Sequence, residues 1–321
     1  MDKHIIYLKE VSSYNDVLKK NYEKMPLCIK KIIFLYKNIF NIITKKKLED
    51  KEVWILPIKE KYIEIKIKKI IKKKLINSNN IYVVSNELKE NNVCKIMEQN
   101  ELKHLSEEKI KKILLIDILK YITDIQKKEI STLDITILVN NASELNLFLI
   151  EKIAQMVKSL KIVSLNMYKF KKIEEKLYNE YGIAIQFSNS YKKSLEKSKI
   201  IINLDFNELQ INEYEIFNNA IIINCIENYI KIKSRLFNGI IINSCDIGFR
   251  KELVNKFKKM HIYESYEKII LYSSFIENES DFTKTIENTK SDKIIINSLI
   301  GNNGQINKSE FKKLDKSKKT E

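Results

Sequence analysis

The residues best placed for chemistry form a polar turn, Asn140-Asn141-Ala142-Ser143-Glu144, lying after the apolar run Ile135 to Val139. A stretch follows in which Leu147, Ile150, Ile153, Ala154 and Val157 share one helical face. A strand that enters a helix through a short polar turn points backbone N–H groups at the turn, and an anion can be received there. Three more polar positions end strand-like runs: Asn166 after Lys161 to Leu165, and Asn203 and Asp205 at the end of Ile200 to Leu204. Asp205 is the only acid at such a strand end before Asp246. Asparagine also follows other runs, at Asn189, Asn224 and Asn243. These amides could form a ring of donors and acceptors around a polar ligand. They could equally be corner residues, a role that suits asparagine.

Other chemistry is thinly represented. Cys28, Cys94, Cys225 and Cys245 are widely spaced, without a C-x-x-C pair or a histidine at metal-ligand distance in sequence, so zinc-ribbon and thioredoxin-type sites are excluded and no metal is expected. His4, His104 and His261 are isolated and read as surface or core residues. Cys245-Asp246 has neither a histidine nor a helix start beside it to activate a thiolate. No catalytic residue is assigned.

Charge points to a second candidate surface. The chain has 321 residues and a formal net charge of +16, yet only Arg235 and Arg250 are arginine. Ile, Lys and Asn number 58, 56 and 33, a bias that matches A/T-rich codons as readily as selection for anions. Nucleic-acid readers favour the bidentate fork of arginine, which is scarce here. The densest cluster is Lys66, Lys68, Lys69, Lys72, Lys73 and Lys74, and residues 1–74 carry +11 of the total. On a helix these lysines would surround Ile67, Ile70, Ile71 and Leu75, either as a solvated face or as a contact for RNA, DNA or acidic lipid.

The elements that must position these residues follow from periodicity. His4 to Leu8, Glu52 to Ile58 and Asn80 to Ser85 read as strands, and a helix after Pro26 should bury Ile29, Ile32, Ile33, Tyr36, Phe40 and Ile43. Residues Tyr62 to Lys68 alternate with strand period, and Cys94 to Met97 suggest another strand. A long helix capped by Ser106, with Ile110, Ile113, Leu114, Leu119 and Ile122 as its buried stripe, would connect two lobes. From Ser131 to about Arg250, apolar runs at 135–139, 161–165, 183–187, 200–204, 220–223 and 240–242 alternate with amphipathic stretches. One of these, Ile173 to Tyr181, is followed by Gly182 at the position of a helix-terminating glycine. This alternation indicates an α/β protein with a doubly wound, Rossmann-like parallel sheet, preceded by a smaller α/β domain. The expected division is an N-terminal α/β domain with its connecting helix (1–130), a Rossmann-like domain (131–275) and a polar tail (276–321).

The second lobe resembles the NAD(P)-binding domain of the shikimate dehydrogenase and glutamyl-tRNA reductase group. Asn166 falls where that group ends its second strand in an Asn-Arg-Thr-like triplet, and Lys197-Ser198-Lys199-Ile200-Ile201-Ile202-Asn203-Leu204-Asp205 resembles the stretch entering its fourth strand. The resemblance implies cofactor contacts from Asn140, Asn141, Ala142, Ser143, Glu144, Asn166, Asn203 and Asp205. The sequence departs from the group at Met167, which stands in place of arginine, and at Asn140, Ala142 and Leu145, which stand in place of the three turn glycines. Those glycines permit positive φ and close approach of backbone to pyrophosphate. Glu144 would compete with phosphate for the helix N-terminus.

The first functional expectation is therefore a degenerate, non-catalytic module that senses a small ligand or binds a protein, with no cofactor. The alternatives are an NAD(P)-dependent oxidoreductase and a lysine-mediated nucleic-acid binder. The apolar stretch Ile32 to Ile43 is shorter than the ~20 residues of a membrane span. The amino-terminal apolar run is short for a signal peptide. A cytoplasmic protein, able to form homo-oligomers, is the expectation.

Overall fold

A computed structural model describes residues 5–10, 25–39, 44–48, 51–58, 81–84, 107–249 and 294–316. The chain divides into two compact units, one made of Met1–Ser106 with Phe249–Glu279, the other of Glu107–Gly248 with Ser280–Glu321.

In the first unit, β1 (Ile5–Glu10), α1 (Leu27–Ile39), β2 (Thr44–Leu48), β3 (Lys51–Ile58) and β4 (Ile81–Val84) follow in order. The strands form a sheet in the order β2-β3-β1-β4. β1 runs parallel to both β3 and β4, and β2 is antiparallel to β3. Pro57 sits one residue from the end of β3, where a missing N–H disturbs the ladder least. The helix expected after Pro26 forms over Leu27–Ile39, but the described part of its apolar stripe is not buried as the periodicity suggests, and Phe40 and Ile43 lie outside the described residues. Ile29, Ile32 and Tyr36 are exposed, and Ile33 is half-buried. The alternation at 62–68, the lysine cluster at 66–74, Ser106 and the strand expected at 94–97 lie outside the described residues.

The second unit opens with α2 (Glu107–Ile113) and α3 (Leu115–Gln126). The single long connecting helix expected here is thus two helices, separated at Leu114. Both belong to the second unit, because Ile113, Leu114, Leu115, Leu119 and Ile122 are all buried. Strands β5 (Asp134–Leu138), β6 (Ser159–Val163), β7 (Gln186–Ser188), β8 (Ile200–Asn203), β9 (Ile221–Asn224) and β10 (Ile240–Ile242) follow. Between them come α4 (Glu144–Ala154), α5 (Lys171–Tyr181) and α6 (Glu208–Ile211). The sheet order is β10-β9-β8-β5-β6-β7, with every pairing parallel. Counted from β5 as the first strand, this is the 3-2-1-4-5-6 order of a Rossmann-like doubly wound sheet, and order reverses between β5 and β8.

Burial explains the strand sequences. All four residues of β8 and of β9 are buried, which is why each reads Ile-Ile-Ile-Asn rather than alternating. Gly182 ends α5 with φ +66°, the left-handed geometry that glycine adopts without strain. The N–H of Ile183 reaches back to Leu177 O at 3.0 Å and closes the turn.

The polar tail expected over 276–321 is structured over 294–316. It forms β12 (Ile294–Gly301), β13 (Gly304–Gln305) and α7 (Lys308–Lys316), and β12 joins β11 (Ser244–Phe249) in a three-stranded sheet. Leu299 and Phe311 are buried at 1% exposure each. The N–H of Asn243 donates to Ile300 O at 2.8 Å, and Tyr121 Oη donates to Asn297 O at 2.9 Å. The segment reads as polar because so few of its side chains are buried.

Candidate functional site

In a doubly wound sheet the crevice lies outside the carboxyl ends of the strands where their order reverses, here at the ends of β5 and β8. The turn after β5 enters this crevice. Ser143 caps α4, its hydroxyl accepting from the N–H of Asn146 at 3.3 Å, and Asn146 Nδ2 donates back to Asn141 O at 2.8 Å. Asn146 is buried, and its Oδ1 has no hydrogen-bond partner among the described residues. Ala142 and Ser143 are half-buried and Glu144 is exposed in the first turn of the helix.

Asp205, two residues beyond β8, closes the turn from the opposite side. Its Oδ1 accepts from the N–H of Asn140 and its Oδ2 from the N–H of Asn141, each at 2.7 Å. Short bonds from N–H to an ionised carboxylate are among the stronger hydrogen bonds in proteins. Burial nevertheless pushes the Asp205 carboxyl above the usual aspartate value. The amides of Asn141 and Asn140, with Lys112, pull it down by less than burial raises it. The turn that would face a pyrophosphate in a dinucleotide domain is thus already occupied by the protein's own anion.

The side-chain oxygen of Asn140 is engaged as well. Its Oδ1 accepts from the N–H of Leu165 at 2.9 Å, tying the first turn to the end of β6. Asn166 is half-buried there, and its N–H donates to Ser164 Oγ at 3.0 Å.

Asn203 belongs to a different device. Its Nδ2 donates to Asn224 Oδ1 at 3.0 Å, Asn224 Nδ2 to Asn243 Oδ1 at 2.9 Å, and Asn243 Nδ2 to Asn302 Oδ1 at 2.7 Å. The ladder ends where Asn302 Nδ2 donates to Ile230 O at 3.0 Å. Asn203, Asn224 and Asn243 are all buried, so a shared row of amides crosses the ends of β8, β9 and β10. Their hydrogen bonds go to one another and to backbone, so Asn203, Asn224 and Asn243 do not form an open ligand-binding ring.

Sequence periodicity missed a charged cluster on α2. Lys111 and Lys112 are each 5% exposed. Lys111 Nζ donates to Ile226 O at 2.8 Å, just past β9, and sits 5.8 Å above the Tyr229 ring. Lys112 Nζ pairs with Glu108 Oε1 at 2.6 Å, and both charges lie close enough to act on Asp205 and on Cys225. Cys225 is fully buried, and burial raises its thiol to about 12, so it stays protonated and inert. The sequence carried no signal for them, because Lys111 and Lys112 fall between Ile110 and Ile113, off the face of the expected stripe. Among the described residues no group of His, Cys, Asp and Glu could hold a metal ion.

No known protein family and no curated protein matches the chain. Solved structures align over most of its length at low similarity. L-tryptophan dehydrogenase from Nostoc punctiforme aligns over 90% of this chain and 89% of its own, at 11% identity and a TM-score of 0.33. Quinate dehydrogenase from Corynebacterium glutamicum in complex with NAD aligns over 91% and 100%, at 7% identity and a TM-score of 0.30. Aspartate transcarbamoylase from Trypanosoma cruzi aligns over 84% and 82%, at 9% identity and a TM-score of 0.35.

Proposed function

We propose that the second unit is a degenerate Rossmann-like module that does not turn over a nicotinamide cofactor and acts by binding a small polar ligand or a protein. The observation that carries this reading is the Asp205 carboxylate on the N–H groups of Asn140 and Asn141. A dinucleotide in the ordinary pose would bring its pyrophosphate against that carboxylate, and like charges at close range oppose binding. Leu145, buried at the third glycine position, adds a side chain where helix and sheet must approach.

A second reading, an NAD(P)-dependent oxidoreductase related to the shikimate dehydrogenase and glutamyl-tRNA reductase group, is favoured by one arrangement. What supports it is that Lys112 and Glu108 lie close enough to act on Asp205, which stands two residues beyond β8, beside the point where strand order reverses. Titrating NADH and then NADPH into the folded chain at about 0.15 M salt separates the two readings. The first expects no saturable heat from the native chain, and micromolar saturation with either cofactor would overturn it.

A further inference from the structure

Helix α1 belongs to the first unit. The helix follows Pro26, whose carbonyl accepts from the N–H groups of Ile29 and Lys30 at 3.1 Å each. Its sequence, Leu-Cys-Ile-Lys-Lys-Ile-Ile-Phe-Leu-Tyr-Lys-Asn-Ile, contains three lysines and no acid. Cys28, Ile32 and Tyr36 are four residues apart and Ile29 adjoins them, so the four make one line along the helix. All four are exposed, Ile32 at 66% and Tyr36 at 56%. An amphipathic helix ordinarily turns such a stripe into a core. Here the apolar stripe faces outward.

We propose that α1 lies flat on an anionic membrane surface, with Cys28, Ile29, Ile32 and Tyr36 in the boundary between headgroups and acyl chains. The occupant is chosen by charge. An acid-free helix with three lysines in its sequence, of which Lys31 is exposed, on a chain of net charge +16, is complementary to anionic lipid, and a lysine stem can lie along the apolar boundary with its ammonium group among the headgroups. A second copy is a poorer fit, because a twofold contact through this stripe would bring the same lysines together. The helix has 13 residues, and no described helix is long and apolar enough to cross a bilayer, so α1 lies on the surface rather than spanning it.

The test uses the full-length chain with Cys94 replaced by Ser and an environment-sensitive dye on Cys28. It is mixed with vesicles of phosphatidylcholine alone or of phosphatidylcholine with one-third phosphatidylglycerol, and the unlabelled native chain is co-sedimented with the same vesicles. Saturable co-sedimentation and a blue shift are expected with the anionic vesicles only, weakening as salt rises. Lys31→Gln should weaken binding about fivefold, the equivalent of ~1 kcal/mol per basic side chain. Ile32→Glu should weaken it by about tenfold or more, since the lost apolar contact alone is worth that much. Because Ile32 is exposed, the far-ultraviolet dichroism of this variant should match that of the native chain. Three results would overturn the proposal: equal binding to both vesicle types, unchanged binding by a folded Ile32→Glu chain, or a concentration-dependent dimer that shifts the dye without lipid.

Discussion

Removing the Asp205 carboxylate should leave the N–H groups of Asn140 and Asn141 without their acceptor and loosen the first turn. Each bond is 2.7 Å long. Hydrogen bonds to a charged group contribute about 1.5–3 kcal/mol each. The burial that raises the Asp205 carboxyl offsets part of this, so Asp205→Ala should cost about 1–3 kcal/mol in urea unfolding. Asp205→Asn should cost at least as much, because its amide nitrogen would face one of the two N–H donors. Formate should raise the unfolding midpoint of Asp205→Ala saturably, beyond chloride at equal ionic strength, and should do little for the native chain. The pH dependence carries its own sign. With the folded-state value raised, the native chain binds more protons than the unfolded chain between the ordinary aspartate value and the raised one. The Asp205 contribution is therefore fully present at lower pH, declines as pH rises through that window, and is constant above it. The advantage of the native chain over Asp205→Ala should shrink accordingly. A cost below about 0.5 kcal/mol for both variants, or equal formate responses in native and variant chains, would refute the reasoning.

Cutting the amide ladder should be more costly than altering a surface amide. Asn224→Ala leaves Asn203 and Asn243 each short of a buried partner and frees Asn228 O, with an expected loss of about 2–4 kcal/mol in urea unfolding. A loss within the scatter of surface substitutions would mean that the ladder is incidental. Alkylation separates the thiols. With iodoacetamide at mildly alkaline pH, peptide mapping should find Cys28 modified, with Cys225 and Cys245 modified only after unfolding. Labelling of Cys225 at the rate of Cys28 would contradict its burial.

The sequence by itself determined the class of the second unit. Short continuous apolar runs such as Ile200-Ile201-Ile202, regularly alternating with amphipathic helices, indicate parallel strands covered on both faces and set the doubly wound order within a few choices. Gly182 was legible because a helix ending on the left-handed conformation strongly favours that residue. The positions of the turn after β5 and of Asp205 at the end of β8 were legible too, since both follow from where strands stop. Only the tertiary structure decided what those residues do. The partnership of Asp205 with Asn140 and Asn141 spans about 65 residues, and local periodicity carries no information about groups that far apart in sequence. The same holds for the ladder, whose last member, Asn302, comes from a segment too polar to suggest an ordered element. Lys111 and Lys112 were hidden for the converse reason: a lysine in a helix reads as solvated, and only packing against the ends of other strands reveals that it is buried. On α1 the periodicity correctly marked an apolar stripe, but which way a stripe faces depends on what the rest of the chain packs against it.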